Sequence, residues 1–328
     1  MSDLNLFEQL RYHSEAYIGW KITRHVIGKP EDSREVRILR DEVKESILVK
    51  TLLAEQGDDG RIPLHPYDKW RGAHWVLAVL ADLGHARNDE DLIPLREQVY
   101  DWLFSQEHEK SLAKRVIDGR HCCSPASQEG NALYYLLELG LADERTDTLA
   151  ERLLEWQWAD GGWNCDMKAK ATTSSFMETL TPLRGLALHA RMAGNEDSAV
   201  AAARAAEVFL ERRMYKRRRD GEVMAPDFTK LRYPCYWYYD ILFGLKVLTE
   251  AGFIGDERCS DALELLQSKQ LPGGGFPAER KLYSVGRDRS GSSLVDFGGT
   301  NKKKMNPFVT ADAFQVIKAT DRLEVFIW

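Results

Sequence analysis

Hydrophobic positions along the chain fall into two kinds of helical segment. In the first, apolar residues recur three and four apart with charge on the opposite face, as in DTLAERLLEW (147–156) and SDALELLQSK (260–269). That period predicts a helix that lays one stripe on a core and leaves the other in water. In the second kind the chain is apolar and aromatic nearly all round: 69–84, 127–140, 174–194, 235–252 and 308–320. This is the pattern of helices enclosed by neighbours on every side.

The two kinds alternate. Each polar-faced helix runs into a turn, several with a Gln and Gly, at 52–62, 101–110, 153–163, 209–223 and 265–276, and a second, apolar helix follows. The unit repeats about every 50 residues, the range of repeat arrays. Gly84, Gly140, Gly194 and Gly252 stand where the second helices need a residue tolerant of a left-handed C-terminal turn. The expected fold is an all-α toroid, (α/α), of about five to six helix hairpins, amphipathic helices outside and apolar ones inside. No linker divides the chain, so residues 1–328 read as one toroid domain, with 1–40 as a capping or sixth helix pair. Such a ring leaves an axial cavity, whose wall is expected from the N-terminal halves of the inner helices and the loops before them.

One turn carries more. Gln157, Trp158, Ala159, Asp160, Gly161, Gly162 and Trp163 resemble the repeat motif of squalene cyclases, with partial copies at Gln56, Asp59 and Gly60 and at Gln270 and Gly273 to Phe276. On these residues the chain resembles the terpenoid cyclase and protein prenyltransferase superfamily. The resemblance implies that Gln157, Asp160 and Trp163 are staples, tying helix termini whose backbone groups need partners. It also implies an isoprenoid-like substrate. The chain lacks the initiating Asp-x-Asp-Asp cluster of the cyclases and the Asp-rich sites of magnesium-dependent synthases, and Cys165 precedes Asp166 where prenyltransferases have Asp-x-Cys. It reads as a divergent member.

Composition changes the picture in a few places. With 45 Lys and Arg against 51 Asp and Glu, the net charge is −6, so no basic field favours nucleic acid or anionic lipid. The basic runs Arg212–Arg219 and Lys302–Lys304 read as solvated loop charge or a phosphate contact. Neither a signal peptide nor a membrane-spanning run is apparent, and a cytoplasmic location is expected. The five cysteines read as reduced thiols.

Candidate chemistry lies on the inner helices. Helical spacing predicts Tyr236 and Asp240 one turn apart on one face, with Tyr239 beside them. A carboxyl among aromatics in a closed cavity is expected to hold its proton and protonate a substrate, or else to pair with a Tyr or Arg. Trp70 with His74, and Arg71 with Trp75, are predicted to share faces of the first apolar helix. The candidate catalytic residues are Asp240, His74 and Glu178; the candidate substrate contacts are Trp70, Arg71, Trp75, Tyr236, Tyr239 and Asp312. No cofactor is expected, with zinc left open at Cys122, Cys165 and Cys235, near His121. The expected partner is a small, apolar molecule. Three functions fit: a cyclase-like or prenyltransferase-like enzyme using acid–base chemistry in an aromatic cavity, a carbohydrate-active toroid with paired acids and aromatic platforms, or a non-catalytic lipid or small-molecule binding module.

Overall fold

The computed structural model describes residues 6–117, 121–168, 170–287 and 290–320. α1 (Leu6–Arg11) leads into α2 (Ala16–Lys21), which continues as a π-helical turn at Ile22–Val26. Then come α3 (Arg34–Glu45), α4 (Ile47–Leu52), α5 (Ala73–Asp82), α6 (Ile93–Leu103), α7 (Gln106–Ala113), α8 (Ser127–Glu138) and α9 (Glu144–Trp156). The series ends with α10 (Phe176–Ala193), α11 (Glu196–Leu210), α12 (Ile241–Ala251), α13 (Ser260–Gln267) and α14 (Pro307–Ala319). Extended structure among the described residues is limited to two-residue pairings, Val116–Ile117 with His121–Cys122 and Ser284–Val285 with Ser292–Ser293, and the single bridges Lys216 with Val223 and Pro277 with Met305.

The apolar helices form the inner ring. α5 packs on α8, α8 on α10, α10 on α12, α12 on α14, and α14 on α2 and its π-helical turn. The circle closes where the Trp20 indole of α2 lies against Gly84 at the end of α5. The fold is therefore an all-α toroid with six inner helices among the described residues. Outside, α3 buries Val36, Arg40 and Val43, and α9 buries Leu149, Ala150, Leu153 and Trp156, the stripes expected from their period. Full burial of each large apolar side chain contributes about 1.5–3 kcal/mol, so these stripes hold the two layers together.

Local chemistry sets the helix ends. The Ser46 hydroxyl accepts the Val49 N–H (3.2 Å), and Ser105 accepts that of His108 (3.1 Å), breaking two outer layers into α3/α4 and α6/α7. α9 starts in a capping box between Asp143 and Thr146. Inner helices α8 and α10 approach closely: a Cβ on Gly130 would lie 2.3 Å from the Pro182 nitrogen. Gln157 Nε2 donates to the carbonyls of Gly161 and Ala201, both at 2.8 Å, and Trp163 Nε1 to Leu153 O at 3.0 Å. Asp160 accepts the Ser174 N–H at 2.7 Å. Gln56 and Gln270 bond Gly60 O and Gly274 O in the same manner, at 2.8 and 2.9 Å. Among the described residues no helix is long and apolar enough to cross a membrane.

Two helix starts differ from the expectation. α12 begins at Ile241, not at residue 235: Asp240 caps it, and the preceding residues follow Tyr233–Pro234 in a turn with Tyr236 at φ +51°. α5 begins at Ala73, because Gly72 is its N-cap and Trp70 N–H is drawn to Ser292 O (3.1 Å). Tyr236 with Asp240, and Trp70 with His74, therefore share no helical face.

Candidate functional site

The charged side chains on inner helices meet on the ring axis. Lys21 donates to Tyr17 Oη (2.9 Å) and to Asp312; Lys246 bonds Asp82 and Asp312, the latter at 3.3 Å. Arg184 joins Asp82 at 3.2 Å and holds Glu250 through two bonds of 2.6 and 2.9 Å, while its guanidinium lies 3.6 Å from the centre of the Tyr134 ring. Tyr233 Oη donates to Asp82 at 3.0 Å. Three cations thus face three carboxylates, the balance a desolvated cluster requires. Burial works to raise the Asp82 pKa, but Lys246, Lys21 and Arg184 outweigh it and hold the carboxyl well below its usual range. Burial pushes the Lys21 ammonium down to about 8, with Asp312 opposing and Lys246 assisting.

This network is a diaphragm with a cavity on either side, since Asp82, Arg184 and Lys246 line both. On the side of the helix N-termini, the segment Arg232–Tyr236 fills the mouth and leaves about 40 Å³ beside Asn131, Tyr236 and Asp312. That is space on the scale of one water molecule. On the opposite side, the C-terminal ends of all six inner helices surround an open basin of about 470 Å³. Only the second has the size of a small-molecule pocket. The space lies at the mouth opposite to the one the sequence suggests.

Eight Lys and Arg side chains line the basin against four carboxylates. Six helix C-termini carry roughly half a negative charge each, about −3 together, so most of the surplus answers the helix ends. Individual bonds agree: Arg40 donates to His85 O (2.8 Å), Arg87 to Leu137 O (3.1 Å) and Arg191 to Glu250 O (3.1 Å). Cations also act on His25, on the π-helical turn. Its imidazole stands edge-on to Trp20, with centroids 5.3 Å apart, and neither ring nitrogen has a hydrogen-bond partner among the described residues. Burial, then Lys21, Arg24, Lys246 and Arg40, hold its pKa well below the ordinary value, so the ring is neutral at pH 7.

The three candidate catalytic residues are fully or almost fully buried, and none lines either cavity. Asp240 accepts N–H bonds from Phe243 (2.9 Å) and Arg232 (3.0 Å) and lies 3.5 Å from the Cys235 sulfur; burial raises its pKa against Arg232. His74 bonds Tyr135 Oη (3.1 Å) and Asn131 (3.3 Å), and burial pushes its pKa down to about 3. Glu178 accepts the Ser127 N–H (3.0 Å) and Trp237 Nε1–H (3.2 Å); burial raises its pKa, and bonds from Ser127, Cys165 and Trp237 oppose.

Of the candidate substrate contacts, Trp70 stacks on Tyr236 at 4.2 Å and meets Trp75 edge-on at 4.7 Å, while Arg71 pairs with Glu55 at 2.8 Å. Tyr239 donates to Met214 O (2.6 Å) within a cluster of Phe176, Phe209 and Phe228. Asp312 belongs to the axial network. The cysteines go to different places: Cys165 to Glu178, Cys235 to Asp240, while the side chains of His121 and Cys122 lie outside the described residues. Among the described residues no three His, Cys, Asp or Glu are grouped to hold a metal ion. The basic run at 212–219 is paired in part, Lys216 with Asp261 (2.6 Å) and Arg217 and Arg219 with Asp220 (3.0 Å each). His25 was legible only as a residue of the N-terminal segment; its one sequence signal is the run Lys21, Arg24, His25 at helical spacing within an apolar stretch.

Fold and site together define an all-α toroid with an ion-lined axial basin. No protein-family model and no curated protein matches the chain. Among solved structures it is similar to a protein from Actinoplanes, at 16% identity over 96% of each chain with a TM-score of 0.43. It is also similar to a substituted form of UGL, an unsaturated glucuronyl hydrolase, whose structure is described with the saccharide dGlcA-Glc-Rha-Glc. That match has 14% identity over 95% of this chain and 85% of the other, with a TM-score of 0.40. At this level of similarity neither neighbour assigns a reaction to this chain, whose architecture rests on its own contacts.

Proposed function

We propose that the protein binds a small polar molecule bearing an anionic group, of the class of an acidic sugar, in the axial basin. The observation that carries this reading is the basin's charged lining, which costs nothing further to leave hydrated but would strand ions against an apolar guest. An isoprenoid in an aromatic chamber, the reading suggested by the cyclase-like turns, meets only about 40 Å³ at the mouth where that chamber was expected. The aromatic residues Trp70 and Trp75, and Phe176 and Tyr239, pack edge-to-face within the ring instead. A carbohydrate-type ligand suits the basin better, since hydroxyl and carboxylate groups match Arg and Lys donors.

The test is calorimetric titration and thermal shift with D-glucuronate, D-glucose and farnesol. Glucuronate is expected to bind and to raise the melting temperature in a concentration-dependent way, glucose weakly, farnesol not at all. Lys318→Glu, at the exposed rim, should weaken glucuronate several-fold without unfolding the protein. Preferential stabilisation by farnesol would overturn the reading.

A further inference from the structure

We propose that His25 hydrogen-bonds the anion that occupies the axial basin and takes up a proton as that anion binds, so that the π-helical turn is the basin's ligand-sensing element. This rests on the basin reading above and adds to it a named contact and a proton.

Four observations meet at this residue. The turn is π-helical, closed by Ile27 N–H on Ile22 O (2.9 Å), and such five-residue turns recur at functional sites. Lys21, Arg24, Arg40, Arg184 and Lys246 each already have a carboxylate partner, whereas His25 has no hydrogen-bond partner among the described residues. It lines the basin, so its ring nitrogens bring to it bonding capacity that the described residues leave unspent, as do Trp20 Nε1 and Gln315 Oε1. Its charged neighbours are cations on three elements: Lys21 and Arg24 on its own helix and turn, Arg40 on α3 and Lys246 on α12.

The acids facing this region are committed elsewhere: Glu31 to Arg24 and Arg40, Asp82 to Lys246 and Arg184, Asp312 to Lys21 and Lys246. In the empty basin a proton on His25 would add one more cation to this cluster, so the ring stays neutral. An entering carboxylate removes that penalty and accepts the new N–H. Anion and proton therefore bind with positive coupling, each raising the other's affinity by the same factor. The proton comes from solvent and converts imidazole to imidazolium; no covalent bond changes.

The experiment is titration of the full chain with D-glucuronate at pH 6 in two buffers of different ionisation enthalpy, repeated between pH 5.5 and 7. Lys21, pushed down to about 8, is already protonated throughout this window and contributes little uptake. Glucuronate's own carboxyl stays ionised. The wild type should take up a sizeable fraction of one proton per ligand and bind several-fold more tightly at pH 5.5 than at pH 7. His25→Gln, at a position without a hydrogen-bond partner to lose, should fold, bind more weakly, and show neither buffer dependence nor pH slope. Proton uptake that persists in His25→Gln, or binding by the wild type without uptake, overturns the role of His25 and leaves the basin reading standing. Absence of glucuronate binding to the wild type sinks the basin reading and this inference with it.

Discussion

At the scale of single residues, burial separates what a side chain resembles from what it does. His74 and Asp240 each read in the sequence as a candidate catalytic residue on a cavity wall, and both are wholly buried with hydrogen-bond partners. For His74 this has a measurable consequence. Its folded pKa of about 3 lies below the ordinary 6.5, so the unfolded chain binds the extra proton between these values. The stability it protects is complete above pH 6.5 and is lost as pH falls toward 3. Two pH units of this linkage amount to roughly 3 kcal/mol. Urea unfolding at pH 4.5 and 7 should therefore show a loss in the wild type about 3 kcal/mol larger than in His74→Gln, which keeps polar groups for Tyr135 and Asn131. Equal losses would mean that His74 is protonated in the folded protein.

At the scale of elements, the period of apolar residues was legible and the helix starts were not. α9 and α11 fall where the amphipathic pattern ends, and the glycines after α5, α8, α10 and α12 all have positive φ. The start of α12 was displaced because Asp240 caps it and Pro234 precedes it, a choice between cap and helix interior that hydrophobic spacing does not record. The Gln157 turn shows how far an element-level motif reaches: it closes its own turn and also clasps α11 through Ala201 O, with Arg204 returning a bond to Gln157 Oε1 (2.8 Å). Gln157→Ala removes these bonds and should cost about 1–3 kcal/mol in urea unfolding while leaving glucuronate affinity unchanged. A variant as stable as the wild type would mean that water replaces the amide fully.

At the scale of the whole molecule, the ring must close, and it closes on Gly84. A Cβ there would lie 2.4 Å from the Trp20 indole, on a backbone at φ +74°. Gly194 has a similar φ of +65° and open space around it. Gly84→Ala should therefore destabilise by about 2–4 kcal/mol, the sum of overpacking and left-handed strain, and Gly194→Ala by about 1 kcal/mol, strain alone. Matching urea midpoints for the two variants would show that the contact of α2 with α5 bears no load.

The sequence by itself determined that the chain is a toroid of alternating outer and inner helices, because helical period, turn glycines and the Gln turns are local properties written within a few residues of one another. Tertiary structure alone decided what occupies the axis. Lys21 reaches Asp312 across 291 positions of sequence, and Lys246 reaches Asp82 across 164. Whether an inner-helix charge faces the axis, a neighbour or a cap depends on the rotation of each helix once the ring has closed, and no periodicity encodes that rotation. For the same reason His25, placed at the edge of the repeat, becomes a basin residue only when α2 and α14 are brought together.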